Sequence, residues 1–280
     1  MTTTNKKLDL PTEHCEDCPA FYRLEQMGIK VGDFDRVVAL AGNPNTGKST
    51  LFNSLTGLKQ HTGNWPGKTV TRAEGGYQFN SVKYKLVDLP GTYSLLSASQ
   101  DEEVARDFIL FGQPDCTIVV TDATALERNL NLVMQVMEIT DRVVVAINLM
   151  DEARRKGIEV DARSLSRDLG IPAVPVTART GEGIHTLLAT VADLINGDIT
   201  VKPHRVEGTP EFQKAVNELV PMIEQMAPGI PNARWLAIRL LDGDARVQNA
   251  ITNGELAEIV SRQKRADVQF SKKMSVEGRQ

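Results

Sequence analysis

Apolar residues along this chain fall into two alternating patterns. Short runs rich in Val, Ile and Leu, at residues 36–41, 83–89, 117–121, 142–148 and 173–177, have the length and β-branched content of buried strands. Between them, residues 49–55, 103–111, 126–139, 162–169 and 184–195 space their apolar positions at helical intervals. Alternation of this kind predicts an α/β fold, a mostly parallel sheet with helices on both faces. Residues 72–79 are expected to add one antiparallel strand beside 83–89. Residues 61–69 show no period and read as a long loop, a kind of segment that in compact domains is usually functional or disordered.

The alternation stops near residues 202–208. Thr209-Pro210-Glu211 then sets an N-cap before a proline at the first helical position. Phe212, Val216, Leu219, Ile223 and Met226 follow at helical spacing, with Pro221 expected to kink the helix. The run from Ala227 to Pro231 is a firm break, and residues 235–241 and 256–260 predict two more helical pieces with no strand between. The chain thus divides into a polar N-terminal extension (1–34), an α/β domain (35–203), a small all-helical unit (204–260) and a polar tail (261–280). A unit that small buries little core alone and is expected to dock on the first domain. The tail carries six Lys/Arg against two Asp/Glu.

A formal net charge of -4 gives no reason to expect a nucleic-acid partner. No apolar run approaches the roughly 20 residues of a membrane-spanning helix, and the N-terminus lacks the apolar core of a signal peptide. The chain as given is expected to be soluble and cytoplasmic. Three cysteines make no disulfide framework. His14, Cys15 and Cys18 could begin a metal or redox site, but zinc usually takes four protein ligands, so a flexible tail is the default. His61, His185 and His204 read as solvated side chains. Trp65 is expected to be an exposed handle on its loop, Trp235 a core residue of the helical unit, and Glu102 and Glu103 the start of a solvated helix.

The chemistry lies in four strings. Gly42-Asn43-Pro44-Asn45-Thr46-Gly47-Lys48-Ser49 fits G-x-x-x-x-G-K-[ST] between a predicted strand and a predicted helix. Glycines let backbone N–H groups converge on phosphate oxygens, and the helix N-terminus adds positive potential. Gly42, Asn43, Asn45, Thr46, Gly47, Lys48, Ser49 and Thr50 form the expected phosphate-binding set, with Lys48 on the terminal phosphates and the Ser49 hydroxyl on Mg²⁺. Asp88-Leu89-Pro90-Gly91 ends a strand, where the carboxylate can hold Mg²⁺ through water and the Gly91 N–H can meet the γ-phosphate. A threonine of the loop at 61–69 would complete the Mg²⁺ shell; Thr69 is preferred, with Thr62 and Thr71 as competitors. Asn148-Leu149-Met150-Asp151 fits N-x-x-D, in which Asp151 accepts the N1–H and amine of guanine, a pair adenine cannot supply. Thr177-Ala178-Arg179 follows the last strand, and the Ala178 N–H is expected to meet the guanine O6. In this order the four strings predict a GTP/GDP site with Mg²⁺ and GTP hydrolysis.

Several stretches are more specific. GNPNTGKSTLFNSLTG, GNWPGKTV, VDLPGTYSL and NLMD, together with RWLAIRLLDGD at 234–244, resemble the GTPase and helical domains of the FeoB family of bacterial ferrous-iron transporters, from about Val37 to Val260. The resemblance implies a Ras-like P-loop GTPase fold, Thr69 as the magnesium-sensing threonine of switch I, and switch II beginning at Asp88. It also implies a helical unit that restrains nucleotide release. Leu149 stands where a lysine is usual, which implies modest affinity and fast exchange. Thr92 stands where many GTPases carry a water-orienting glutamine, which implies slow hydrolysis. Resemblance to cation-dependent GTPases suggests that Asn45 ligates K⁺ between phosphate oxygens, the alternative being that it only braces the turn. The implied partners are guanine nucleotide, the protein's own membrane domain outside this chain, and small cytoplasmic iron-transport accessory proteins. The implied location is the cytoplasmic face of the bacterial inner membrane. Some 35 residues before the first strand depart from the family pattern. Two other readings stay open: a free-standing ribosome-assembly GTPase, and a nucleotide-gated interaction switch whose hydrolysis is incidental.

Overall fold

Strand β1 (Arg36–Gly42) carries six consecutive buried residues because it lies inside a sheet covered on both faces. In the computed structural model, which describes residues 24–254 except 26, 30, 31, 58, 59, 97, 98 and 206, β1 runs parallel to β4 (Val82–Asp88) on one side and β5 (Cys116–Asp122) on the other. β6 (Val143–Asn148) and β7 (Ala173–Pro175) continue the parallel set. At the opposite edge β3 (Thr71–Phe79) pairs antiparallel with β4, and β2 (Gln60–Asn64) antiparallel with β3, giving the order β2-β3-β4-β1-β5-β6-β7. The expected α/β sheet and its antiparallel strand are both present.

Successive residues of a strand face opposite sides. Val38 and Leu40 therefore pack with Leu51 and Phe52 of α1 (Lys48–Thr56), while Val37, Ala39 and Ala41 join the cluster on the other face. That second face is covered by α2 (Gln100–Asp107), α3 (Leu126–Ile139), the short α4 (Met150–Arg155) and α5 (Ala162–Leu169). α6 (Ile184–Asn196) returns to the first face through Leu187 and Val191. Each fully buried side chain of this size contributes about 1.5–3 kcal/mol, so the two clusters dominate the stability of the sheet.

Two local expectations need correction. The stretch 61–69 is not wholly a loop, since it opens within β2. Its sequence QHTGN has no apolar alternation because residues 61–64 are exposed and an edge strand is held by backbone bonds to one neighbour. The helix expected at 103–111 begins earlier, capped by Ser99, whose hydroxyl accepts from the Glu102 N–H at 3.3 Å. After Asp107 it widens into a π turn at Phe108–Gly112, which buries Phe108, Ile109 and Leu110.

The helical unit consists of α7 (Pro210–Met226), α8 (Ala233–Leu241) and α9 (Ala245–Thr252). Thr209 caps α7 as expected, and the helix continues through Pro221. The third helix was not foreseen at 245–252. The piece expected at 256–260 lies outside the described residues, as do His14, Cys15, Cys18 and the tail 261–280. Trp235 is 3% exposed and shares one cluster with Val216, Ile223 and the sheet residues Val119 and Val145, so the unit docks on the sheet's helical layer. Among the described residues no helix is long and apolar enough to cross a membrane.

One side chain serves both partners of that docking. The Asn232 oxygen accepts from the Trp235 N–H at 2.9 Å, capping α8, while its amide nitrogen donates to the Glu138 and Ile139 carbonyls at the end of α3, at 2.7 and 2.8 Å. Asn232→Ala removes the cap and both donors and should lower the unfolding free energy by about 1–3 kcal/mol. Asn232→Asp keeps the acceptor but cannot donate, and should be no more stable than the alanine variant. Urea denaturation followed by circular dichroism measures both; an aspartate variant as stable as the parent would show that the bonds to α3 contribute nothing.

Candidate functional site

β1 ends at Gly42 and α1 begins at Lys48, so residues 43–47 cross the C-terminal edge of the sheet. The chain permits no side chain at either glycine of this loop. A Cβ on Gly42 would stand 2.7 Å from the Val120 carbonyl oxygen, and one on Gly47 2.4 Å from Asn148 Nδ2. Asn45 takes a left-handed φ of 66°, which asparagine tolerates better than most residues. The Thr46 hydroxyl donates to the Asn43 carbonyl at 2.9 Å and closes the turn. Ser49 and Thr50 are exposed on the first turn of α1, where unpaired N–H groups favour an anion. Lys48 is mostly buried; its ammonium donates to the Leu89 carbonyl at 2.7 Å and contacts the Asp88 carboxylate. Burial pushes the Asp88 carboxyl up from its ordinary pKa, and the Lys48 charge opposes that rise.

β4 delivers the second string beside the first. The Thr92 N–H donates to the Gly42 carbonyl at 3.3 Å, and a Cβ on Gly91 would stand 3.6 Å from Pro44 Cα. Gly42, Pro44, Lys48, Asp88 and Gly91 are thus brought together. Thr92 is buried, and its hydroxyl bonds within its own turn to Ser94.

Thr69, expected on the Mg²⁺ side with Ser49, instead donates its hydroxyl to Gln100 Oε1 at 3.1 Å, on the first residue of α2. The adjacent ion pair Lys68–Glu103, at 2.6 Å, holds it there. Glu103 is therefore paired rather than freely solvated, and Glu102 carries one buried oxygen without a partner. Thr62 and Thr71 lie exposed in β2 and β3. Trp65 is not an exposed handle. It is 4% exposed, packs edge-on to Phe108 with ring centroids 5.5 Å apart, and lies under the Arg72 guanidinium. A large indole on a short loop gains more from a core site than from solvent, and Phe108 on the unforeseen π turn provides one. His61, His185 and His204 are exposed as expected.

The base-side strings meet at Asn148, which is 1% exposed. Its Nδ2 donates to the Thr46 carbonyl at 2.9 Å and its Oδ1 accepts from the Ala178 N–H at 3.0 Å. The Ala178 N–H was expected to meet guanine O6, but here Asn148 takes it. Leu149 adopts a left-handed φ of 63° and turns the chain into α4, which carries Asp151 on its first turn. Asp151 accepts from Arg179 at 2.8 Å. Desolvation raises its pKa, but the Arg179 bond and the Glu152 N–H outweigh this and leave the carboxyl below its ordinary range. Thr177 is buried and braced by Glu182, whose carboxyl the Arg154 bond holds down to about 2. The Arg179 and Glu182 partnerships escaped the sequence reading, because nothing in a local window pairs residues about thirty positions apart.

The Ser49 hydroxyl, on the first turn of α1, and the Asp88 carboxylate, at the end of β4, are oxygen donors of the kind that suits a hard divalent cation such as Mg²⁺. The family model for ferrous iron transport protein B matches residues 36–191, and that for the FeoB cytosolic helical domain matches 209–277. The Fe(2+) transporter FeoB of Escherichia coli (strain K12) is 40% identical over 213 residues, which cover 74% of this chain and 27% of that protein. The chain thus spans about a quarter of the length of the curated relatives it matches. The solved cytosolic domain of L. pneumophila FeoB aligns with a TM-score of 0.71 at 34% identity, over 84% of this chain and 93% of that one. The cytosolic domain of T. maritima FeoB in its GDP form I aligns with a TM-score of 0.72 at 30% identity, over 86% and 98%. Loops, sheet and helical unit agree with these matches, and the chain belongs to the ferrous iron transport protein B family, whose GTPase fold it carries.

Proposed function

We propose that this chain binds and hydrolyses GTP as the cytoplasmic part of a bacterial ferrous-iron transport protein, working on a membrane domain outside this chain at the inner-membrane face. The observation that carries the reading is the convergence of the P-loop, the Asp88–Gly91 turn and the Asn148–Asp151 loop at the C-terminal edge of one sheet. The GDP form named for the T. maritima relative supports the nucleotide. Small cytoplasmic accessory proteins are further candidate partners. The comparisons give no support to a ribosome-assembly GTPase or a bare interaction switch.

In this reading backbone N–H groups of residues 43–50 hold the phosphates, and Lys48 leaves Asp88 and Leu89 for the terminal oxygens. Ser49, Asp88 and a displaced Thr69 hold Mg²⁺, which neutralises charge on the phosphates when bound. Gly91 donates its N–H to the γ-phosphate, and Asp151 reads guanine after releasing Arg179. Hydrolysis is slow because Thr92 spends its hydroxyl on Ser94 and orients no water. Asn45 offers an exposed carbonyl oxygen to K⁺, a charge no arginine of residues 60–67 supplies. Arg72 is no substitute, since Glu74 holds it at 2.7 Å. The helical unit restrains nucleotide release through its bond to the loop after Gly91, where Arg239 donates to the Leu96 carbonyl at 2.9 Å.

Lys48→Ala removes charge-assisted bonds of about 1.5–3 kcal/mol. GTP affinity, read with a fluorescent analogue, should fall at least about tenfold; unchanged affinity would mean the phosphates bind elsewhere. Asp151→Asn should weaken GTP by a similar margin and improve XTP, because the amide can donate to the xanthine oxygen. Competition between the two nucleotides reports this, and a preserved preference for GTP would move the base site. For potassium, the useful variant is Asn45→Gly, which keeps the left-handed backbone and deletes only the side chain. Turnover should rise several-fold in KCl over NaCl at equal ionic strength for the parent, and lose that response in the variant while GDP still binds. A variant that keeps the response removes Asn45 from the mechanism.

A further inference from the structure

The family match begins at residue 36, yet the chain just before it packs beneath switch I. Leu24 and Glu25 are helical, and the chain then turns off in a Schellman motif. The Gly28 N–H donates to the Glu25 carbonyl at 2.8 Å and the Ile29 N–H to the Leu24 carbonyl at 2.9 Å, with Gly28 at a φ of 79°. The motif sets Leu24 and Ile29 side by side. They are 1% and 0% exposed and lie in the same cluster as Trp65, Val70 and Phe108. The fit extends to the backbone. A Cβ on Gly28 would stand 2.7 Å from Pro66 Cγ and 2.7 Å from Arg72 Nη1, and Arg72 donates to the Met27 carbonyl at 3.4 Å. On its other side a Cβ on Gly112 would stand 3.2 Å from Met27 Sδ.

The turn over these residues is closed by two bonds, Trp65 N–H to the Val70 carbonyl and Lys68 N–H to the Trp65 carbonyl, both at 3.0 Å. It ends beside Thr69, which donates to Gln100. For Thr69 to leave Gln100 and approach a metal at Ser49, this turn has to shift, and Trp65 and Pro66 with it. Whatever holds Trp65 and Pro66 therefore favours the arrangement seen here. A contact that stabilises one conformation weakens a ligand that requires the other, by the factor it shifts the equilibrium.

We propose that Leu24, Met27, Gly28 and Ile29 form a positioning segment that clamps switch I through Trp65, Pro66 and Arg72, and thereby lowers affinity for GTP relative to GDP. The proposal rests on the guanine-nucleotide reading of the P-loop. GDP does not require the shift, so GDP binding tests the site and the GTP:GDP ratio tests the clamp. Gly28→Val puts a branched side chain where Pro66 leaves no room and where φ disfavours it. In the full chain the GTP:GDP affinity ratio should rise several-fold, with GDP affinity within about twofold of the parent. Leu24→Ala, which leaves the backbone alone, should move the ratio the same way by less. A role confined to stability would lower the melting temperature and leave the ratio unchanged, which would overturn the clamp. A measurement on the parent chain decides the matter even if a variant does not fold. Hydrogen exchange with a non-hydrolysable GTP analogue, against GDP, should deprotect this segment together with residues 60–72. The segment keeping its protection would overturn the proposal. A parent chain that binds no GDP would instead overturn the nucleotide reading.

Discussion

The arrangement of the site depends on one buried amide. β1 and β6 are not neighbours, since β5 runs between them. Their loops are separated by two strand spacings, roughly 9–10 Å, and need a side chain to join them. Asn148 does so, donating to the P-loop at Thr46 and accepting from the turn at Ala178. The same placement explains Gly47, since any side chain there would collide with Asn148 Nδ2. The next residue, Leu149, makes the left-handed turn that starts α4, and α4 carries Asp151 on its first turn. A buried amide that loses one partner leaves the other unsatisfied at a cost of about 1–3 kcal/mol, so the three loops hold their places together.

The helical unit is attached beside the turn that follows β4. After Thr92, the Leu95 N–H donates to Gln135 on α3 at 2.6 Å, and the Leu96 carbonyl accepts from Arg239 on α8. Arg239 is 6% exposed and is itself fixed by Asp244 at 2.7 Å, so its guanidinium is a rigid donor rather than a solvated one. The segment after Thr92 therefore ends in a socket built jointly by the sheet's helical layer and the helical unit.

Sequence periodicity revealed what repeats locally. The central strands were legible because a strand buried on both faces is a plain apolar run, and α3 and α5 because their apolar stripes are regular. The phosphate and base loops were legible because their strings carry fixed spacings. Other features depend on partners distant in sequence. β2 is polar and was invisible, Trp65 was taken for a surface residue, and the Gln100 partner of Thr69 lies 31 positions away. The bond from the Ala178 N–H to Asn148, thirty residues earlier, was likewise out of reach of a local window.

β2 forms the outer end of the sheet, and among the described residues it pairs with β3 alone. Peeling it away would cost a single ladder and would leave β1, β4 and β6, which carry the P-loop, the Asp88–Gly91 turn and the Asn148–Asp151 loop, inside the remaining sheet. A six-stranded sheet would remain, with the exposed flank of β3 as its new border. The border of the sheet is thus joined to the rest by backbone bonds along one side alone, as a hem is joined to a garment.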